Sequence, residues 1–86
     1  MVFRISNHAL RRMQTRGIQE AIIKQILDNP DTIQDQDLGT TVYSKLVEEN
    51  AKTYLYRVFV NTSKKPPLVI TVYKTSKIEK YGYQIR

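Results

Sequence analysis

His8, Arg12 and Arg16 recur at i, i+4 and i+8, the spacing that lines one flank of an α-helix. A histidine in the first turn of a helix feels the positive end of the helix dipole, which favours the neutral ring that a general base needs near neutral pH. Guanidiniums on the same flank would hold phosphate oxygens beside it, so the row could carry phosphoryl chemistry on a polyanion. The same spacing also reads as a solvated basic helix face with His8 near its cap. Hydroxyls and cations interleave a second time in Thr71-Val72-Tyr73-Lys74-Thr75-Ser76-Lys77, with Tyr81 a little further on. Such groups near a strand end can bind phosphate, and a tyrosine among them can transfer a proton or stack on a base. The plain alternative is a strand of good β-formers with a charged edge that resists aggregation.

Composition removes several other chemistries. The chain has no cysteine and one histidine, so disulfides, thiolate zinc sites, cysteine nucleophiles and multi-histidine metal sites are all ruled out. Asp28, Asp31, Asp35 and Asp37 lack the spacing of a calcium loop and its late bidentate glutamate, and read as a solvated loop. The three glycines stand singly, which leaves no phosphate loop or dinucleotide fingerprint. No cofactor and no metal are therefore expected. No apolar run is long enough to span a bilayer, and Arg4 and His8 interrupt the first ten residues, so no signal peptide or membrane association is expected and the reading is cytoplasmic. At 86 residues with 41% hydrophobic content, residues 1–86 read as one domain.

The net charge of +6 is unevenly placed. Residues 1–27 hold five basic side chains against Glu20, a net of +4. Residues 28–50 hold six acids against Lys45, a net of −5. Residues 51–86 hold eight basic side chains against Glu79, a net of +7. If the fold joins the two ends, they make one basic surface of the kind that binds a polyanion; a merely solubilising surface has the same composition.

The elements that must position these residues follow from periodicity. Ser6 or Asn7 can cap a helix over about Asn7–Arg16, with Ala9, Leu10 and Met13 on its apolar side and Gly17 as its left-handed stop. Ile18, Ile22, Ile23, Ile26 and Leu27 form a second apolar stripe, closed by Asn29 and Pro30. Beyond it the period falls to two, predicting strands over 41–47, 53–61 and 68–75, with a weaker edge strand near 32–36. The short connections make the strands antiparallel neighbours. The fold class is α+β: two N-terminal helices packed on one face of a three- to four-stranded antiparallel sheet, the other face left open. In the last strand, Leu68, Ile70 and Val72 are expected on the core side, with Thr71, Tyr73 and Thr75 on the open side.

The ordered motifs His8-Ala9-x-x-Arg12-Met13-x-x-Arg16-Gly17-Ile18, Asn29-Pro30-x-x-Ile33, Tyr56-Arg57-Val58 and Val69 through Lys77 resemble a family of small prokaryotic proteins catalogued as domain of unknown function number 4258. That family is thought similar to the RelE and BrnT toxins and to the wider barnase-like ribonuclease fold, whose exposed sheet face works on RNA. The resemblance implies a RelE-like, toxin-like, metal-independent RNA endonuclease, in which a base takes the ribose 2′-OH proton and the oxygen attacks the neighbouring phosphorus. It assigns His8 as base or acid, Arg12 and Arg57 as phosphate clamps, and Thr71 with Tyr73 as positioning or proton-transfer groups. Arg11, Arg16, Lys74, Thr75, Lys77 and Tyr81 are the expected RNA-binding residues. The implied partners are RNA and an acidic antitoxin-like protein. A recognisable counterpart of RelE's terminal Arg and Tyr arrangement is missing, which makes free RNA as fair a substrate as ribosome-bound message. A non-catalytic RNA-binding or protein-interaction module of the same fold is the alternative.

Overall fold

A computed structural model describes residues 1–83. Ser6 caps the first helix, α1 (Asn7–Arg16), its hydroxyl accepting from the Ala9 amide at 3.1 Å. The helix stops at Gly17, whose φ of +65° is open to glycine without a Cβ penalty. The second helix, α2 (Glu20–Asp28), buries Ile23, Ile26 and Leu27. Ile18 belongs to the apolar stripe but precedes the helix, buried in the connection that turns the chain back.

Five strands follow from pairing rather than from periodicity alone. They are β1 (Arg4–Ile5), β2 (Thr32–Asp35), β3 (Thr40–Glu49), β4 (Lys52–Asn61) and β5 (Leu68–Thr75), in the spatial order β1-β5-β4-β3-β2. The expected count of three to four antiparallel strands is therefore corrected to a five-stranded mixed sheet. The additional strand, β1, runs parallel to β5 through Arg4 opposite Leu68 and Ile5 opposite Val69. Two residues are too few to show an alternation, so nothing in the sequence announces it. The β3–β4 hairpin closes on Asn50 and Ala51, both at positive φ, as a two-residue turn that matches the twist of its strands.

Helices cover one face only. Ala9, Met13, Ile23, Ile26 and Leu27 pack with Tyr43, Tyr56, Val58, Val60, Val69 and Val72 as the main core. This corrects the expected facing of β5. Phe59 lies opposite Thr71 and Val60 opposite Val69, so Ile70 is an extra residue in β5, a bulge that shifts the alternation by one. Val69 and Val72 are the core residues there, while Leu68 and Ile70 are only partly buried. Downstream of the bulge Thr71, Tyr73 and Thr75 do face away from the helices, in register with Phe59, Arg57 and Leu55. That second face is not wholly bare. A 3-10 turn, Ile78–Tyr81, folds back against β4, and Ile78, Leu55 and Val42 are buried apart from the main core. Among the described residues no helix is long and apolar enough to cross a membrane.

Candidate functional site

On the face away from the helices the register aligns one polar row across four strands. Thr32 of β2 lies opposite Ser44 of β3, Ser44 opposite Arg57 of β4, and Arg57 opposite Tyr73 of β5. With strands about 4.8 Å apart, the row is about 14 Å long. Alternation delivers these side chains to one side because each sits two residues from the next outward position of its own strand.

Aromatic rings hold the guanidinium of Arg57 in place. Its central carbon lies 5.3 Å from the Phe59 ring centroid and 5.1 Å from that of Tyr81. Tyr81 meets Tyr73 edge to face, with ring centroids 6.3 Å apart. The nearby Tyr81 hydroxyl, followed by that of Thr75, holds the Tyr73 phenol below its ordinary value of 10.0; Lys80 and Arg16 act in the same direction, against some desolvation. Tyr81 is pushed up, first by Tyr73 and then by burial, while Arg57 opposes the shift. Both shifts come first from the one contact between Tyr73 and Tyr81. Thr75 is fixed by accepting from the Lys77 amide at 3.0 Å.

Beside Arg57 opens a cavity of about 280 Å³. Thr32 and Gln34 of β2 and Ser44 of β3 line it, together with Leu55 and Arg57 of β4 and with Tyr81 and Tyr83. Among the described residues Arg57 is the only charged side chain in that lining. No three carboxylates or imidazoles converge into a metal-binding group among the described residues.

The expected residues separate into two groups. Arg57, Thr71, Tyr73, Thr75 and Tyr81 come together on the face away from the helices. His8, Arg11 and Arg12 are exposed on α1, which packs on the other face. Of the helix row, Arg16 is the member that reaches the cluster: its Nη2 donates to the Lys74 carbonyl at 2.7 Å, and its charge is felt by Tyr73. His8 stands eight residues back along the helix, about 12 Å of axial rise from Arg16. Lys77 lies at the end of β5, exposed. Lys74 is turned to the helix side, where it pairs with Glu49 at 2.7 Å and stacks 4.4 Å from the Tyr54 centroid. Glu49 also accepts from the Tyr56 hydroxyl at 2.6 Å. Lys74 is thus engaged in holding β5 to the β3–β4 hairpin. The acidic segment is likewise engaged. Asp28 pairs with the N-terminal ammonium at 2.7 Å, Asp31 accepts from the Leu46 amide at 2.8 Å, and Asp35 accepts from Thr41 at 3.0 Å.

Ser44, Thr32, Gln34, Phe59 and Tyr83 were not singled out by sequence reasoning. The available signal was the alternation in 40–49, which puts Ser44 opposite in facing to Tyr43; only the strand register shows that it meets Arg57.

No curated protein and no solved structure matches this chain. The profile of one family matches residues 5–74, spanning α1 to the end of the β5 row. The chain belongs to the family described as Domain of unknown function (DUF4258).

Proposed function

We propose that this protein is a metal-independent RNA endonuclease, akin to the RelE and BrnT toxins, that works on the sheet face away from its helices. The observation that carries the reading is Arg57 in direct register with Tyr73, its guanidinium held between Phe59 and Tyr81. Arg57 clamps the scissile phosphate and stabilises the charge that builds on its oxygens. The phenolate of Tyr73 takes the proton of the ribose 2′-OH. The 2′-oxygen attacks phosphorus, the bond from phosphorus to the 5′-oxygen breaks, and a 2′,3′-cyclic phosphate and a 5′-hydroxyl end result. Tyr81, which keeps its proton, supplies one to the departing 5′-oxygen. Thr71 and Thr75 position the phenols, and Arg16 with Lys77 and Lys80 attracts the flanking strand. An acidic antitoxin-like partner would be drawn to the same basic edge.

Incubation of the folded protein with a mixed-sequence RNA tests this. Cleavage to cyclic-phosphate products is expected for the wild type. Arg57→Ala and Tyr73→Phe are expected to lower the rate by at least about 100-fold, the general range for a lost acid–base or electrostatic group. His8→Ala, distant from the row, is expected to retain most of it. A wild type that binds RNA without cutting it would instead establish the non-catalytic RNA-binding module.

A further inference from the structure

Every part of the cavity beside Arg57 has a chemical preference, and the preferences agree. Tyr81 and Tyr83 offer aromatic surface, and Leu55 adds an apolar contact. Thr32, Ser44 and Gln34 offer two hydroxyls and a carboxamide, all neutral. The Gln34 side chain makes no hydrogen bond among the described residues, so both its donor and its acceptor are available. A group that suits such a lining is flat, uncharged and hydrogen-bonding at its edge. At about 280 Å³ the space is at the lower end of small-ligand pockets, room for a single ring system. Arg57, the charged wall among the described residues, is where that ring system would join an anion.

We infer that this cavity is a nucleobase subsite, which takes the adenine next to the phosphate clamped by Arg57 and reads its edge with Gln34; the inference rests on the sheet face being an RNA surface. A glutamine carboxamide matches the adenine edge with two bonds, donating to N7 and accepting from the N6 amine. Among the described residues the lining holds no carboxylate, the group that suits the N4 amine of cytosine. Thr32 and Ser44 hydroxyls accept either polarity and hold the base in place without choosing it. The subsite also explains why β2 matters to the site: this four-residue edge strand supplies two of the three neutral, non-aromatic polar side chains in the described lining.

The test uses trinucleotides with 2′-deoxy sugars, which cannot undergo 2′-OH attack, differing only in the central base. Binding to the wild-type chain is expected to favour adenine by about tenfold, which corresponds to about 1.4 kcal/mol. Gln34→Leu is expected to remove the preference while leaving overall binding through Arg57. Titration of the wild type with the adenine trinucleotide, followed by NMR, should shift the Gln34 side-chain amide and the Ser44 backbone amide, a readout that needs no variant to fold. Equal affinity for all four bases, or shifts that bypass Gln34, would overturn the subsite. If adenine is preferred and the matching ribonucleotide is not cut, the cleavage reading fails and the subsite stands.

Discussion

Three residues on the helix side show how a buried hydroxyl and a partly buried ion pair combine. Tyr56 is 1% exposed, and its hydroxyl donates to Glu49, which in turn pairs with Lys74. Contacts from Lys74 first, and then from Tyr56, hold the Glu49 carboxyl below its ordinary value of 4.5. A carboxyl lowered on folding binds more protons when unfolded, so its contribution is complete above pH 4.5 and disappears as pH falls through the folded value. Lys74 is raised above 10.5, chiefly by Glu49, so its contribution is lost only at strongly alkaline pH. Thermal melts of wild type and Glu49→Gln should therefore differ at pH 7 and converge as the pH is taken from 5 towards 2. Tyr56→Phe keeps the ring and removes the bond, at a cost of about 1 kcal/mol, or about 4–8 °C in Tm. Unchanged melting of Tyr56→Phe at pH 7 would mean that this hydroxyl contributes nothing.

At the scale of elements, much was legible where the pattern was long and local. The apolar spacing of Ala9 and Met13, the Ser6 cap and the Gly17 stop define α1 to the residue, because caps and helical period act within a few positions. Thr41 to Val47 and Thr53 to Asn61 lie inside β3 and β4 for the same reason. What escaped was non-local. The bulge at Ile70 exists only relative to β4, and β1 only relative to β5. The grouping of Arg57 with Tyr73 is legible from alternation only once the register is known, and the displacement of His8 from them follows from which face α1 covers. Two side-chain hydrogen bonds strap that helix along β5, from the Ser6 hydroxyl to the Ile70 carbonyl at 3.2 Å and from Arg16 to the Lys74 carbonyl. The β3–β4 hairpin carries a residual conflict: Ala51 has φ +64°, a region its Cβ disfavours by about 1–2 kcal/mol. Glycine relieves this but gives the unfolded chain more freedom, so Ala51→Gly should stabilise by about 0.5 kcal/mol and raise Tm by about 2–4 °C. A lowered Tm would show that the turn is not strained.

Across the whole molecule the charges are sorted by sheet edge. The cationic α1 packs on β5, and Lys77 and Lys80 follow that strand in the chain, while β2 and the loop carrying Asp37 lie towards the far edge of the sheet. Arg86, counted in the +7 of residues 51–86, lies outside the described residues. If the sheet face binds RNA, this uneven distribution would orient an approaching strand before contact forms. Affinity for a single strand should fall with salt at a log–log slope of about −0.7 per phosphate contact. Arg16→Ala should make that slope shallower by about 0.7, because Arg16 is the helix residue that reaches the cluster. An unchanged slope would place the strand elsewhere.

The polar row also sets an order of events during synthesis. Thr32, Ser44, Arg57 and Tyr73 come from four strands in chain order, and the last of them docks against β4 only after residues 68–75 have been made. A nascent chain that has exposed β2 to β4 holds Arg57 but no phenol opposite it. If the row cuts RNA, the growing chain is harmless to the message that encodes it until β5 has left the ribosome and paired.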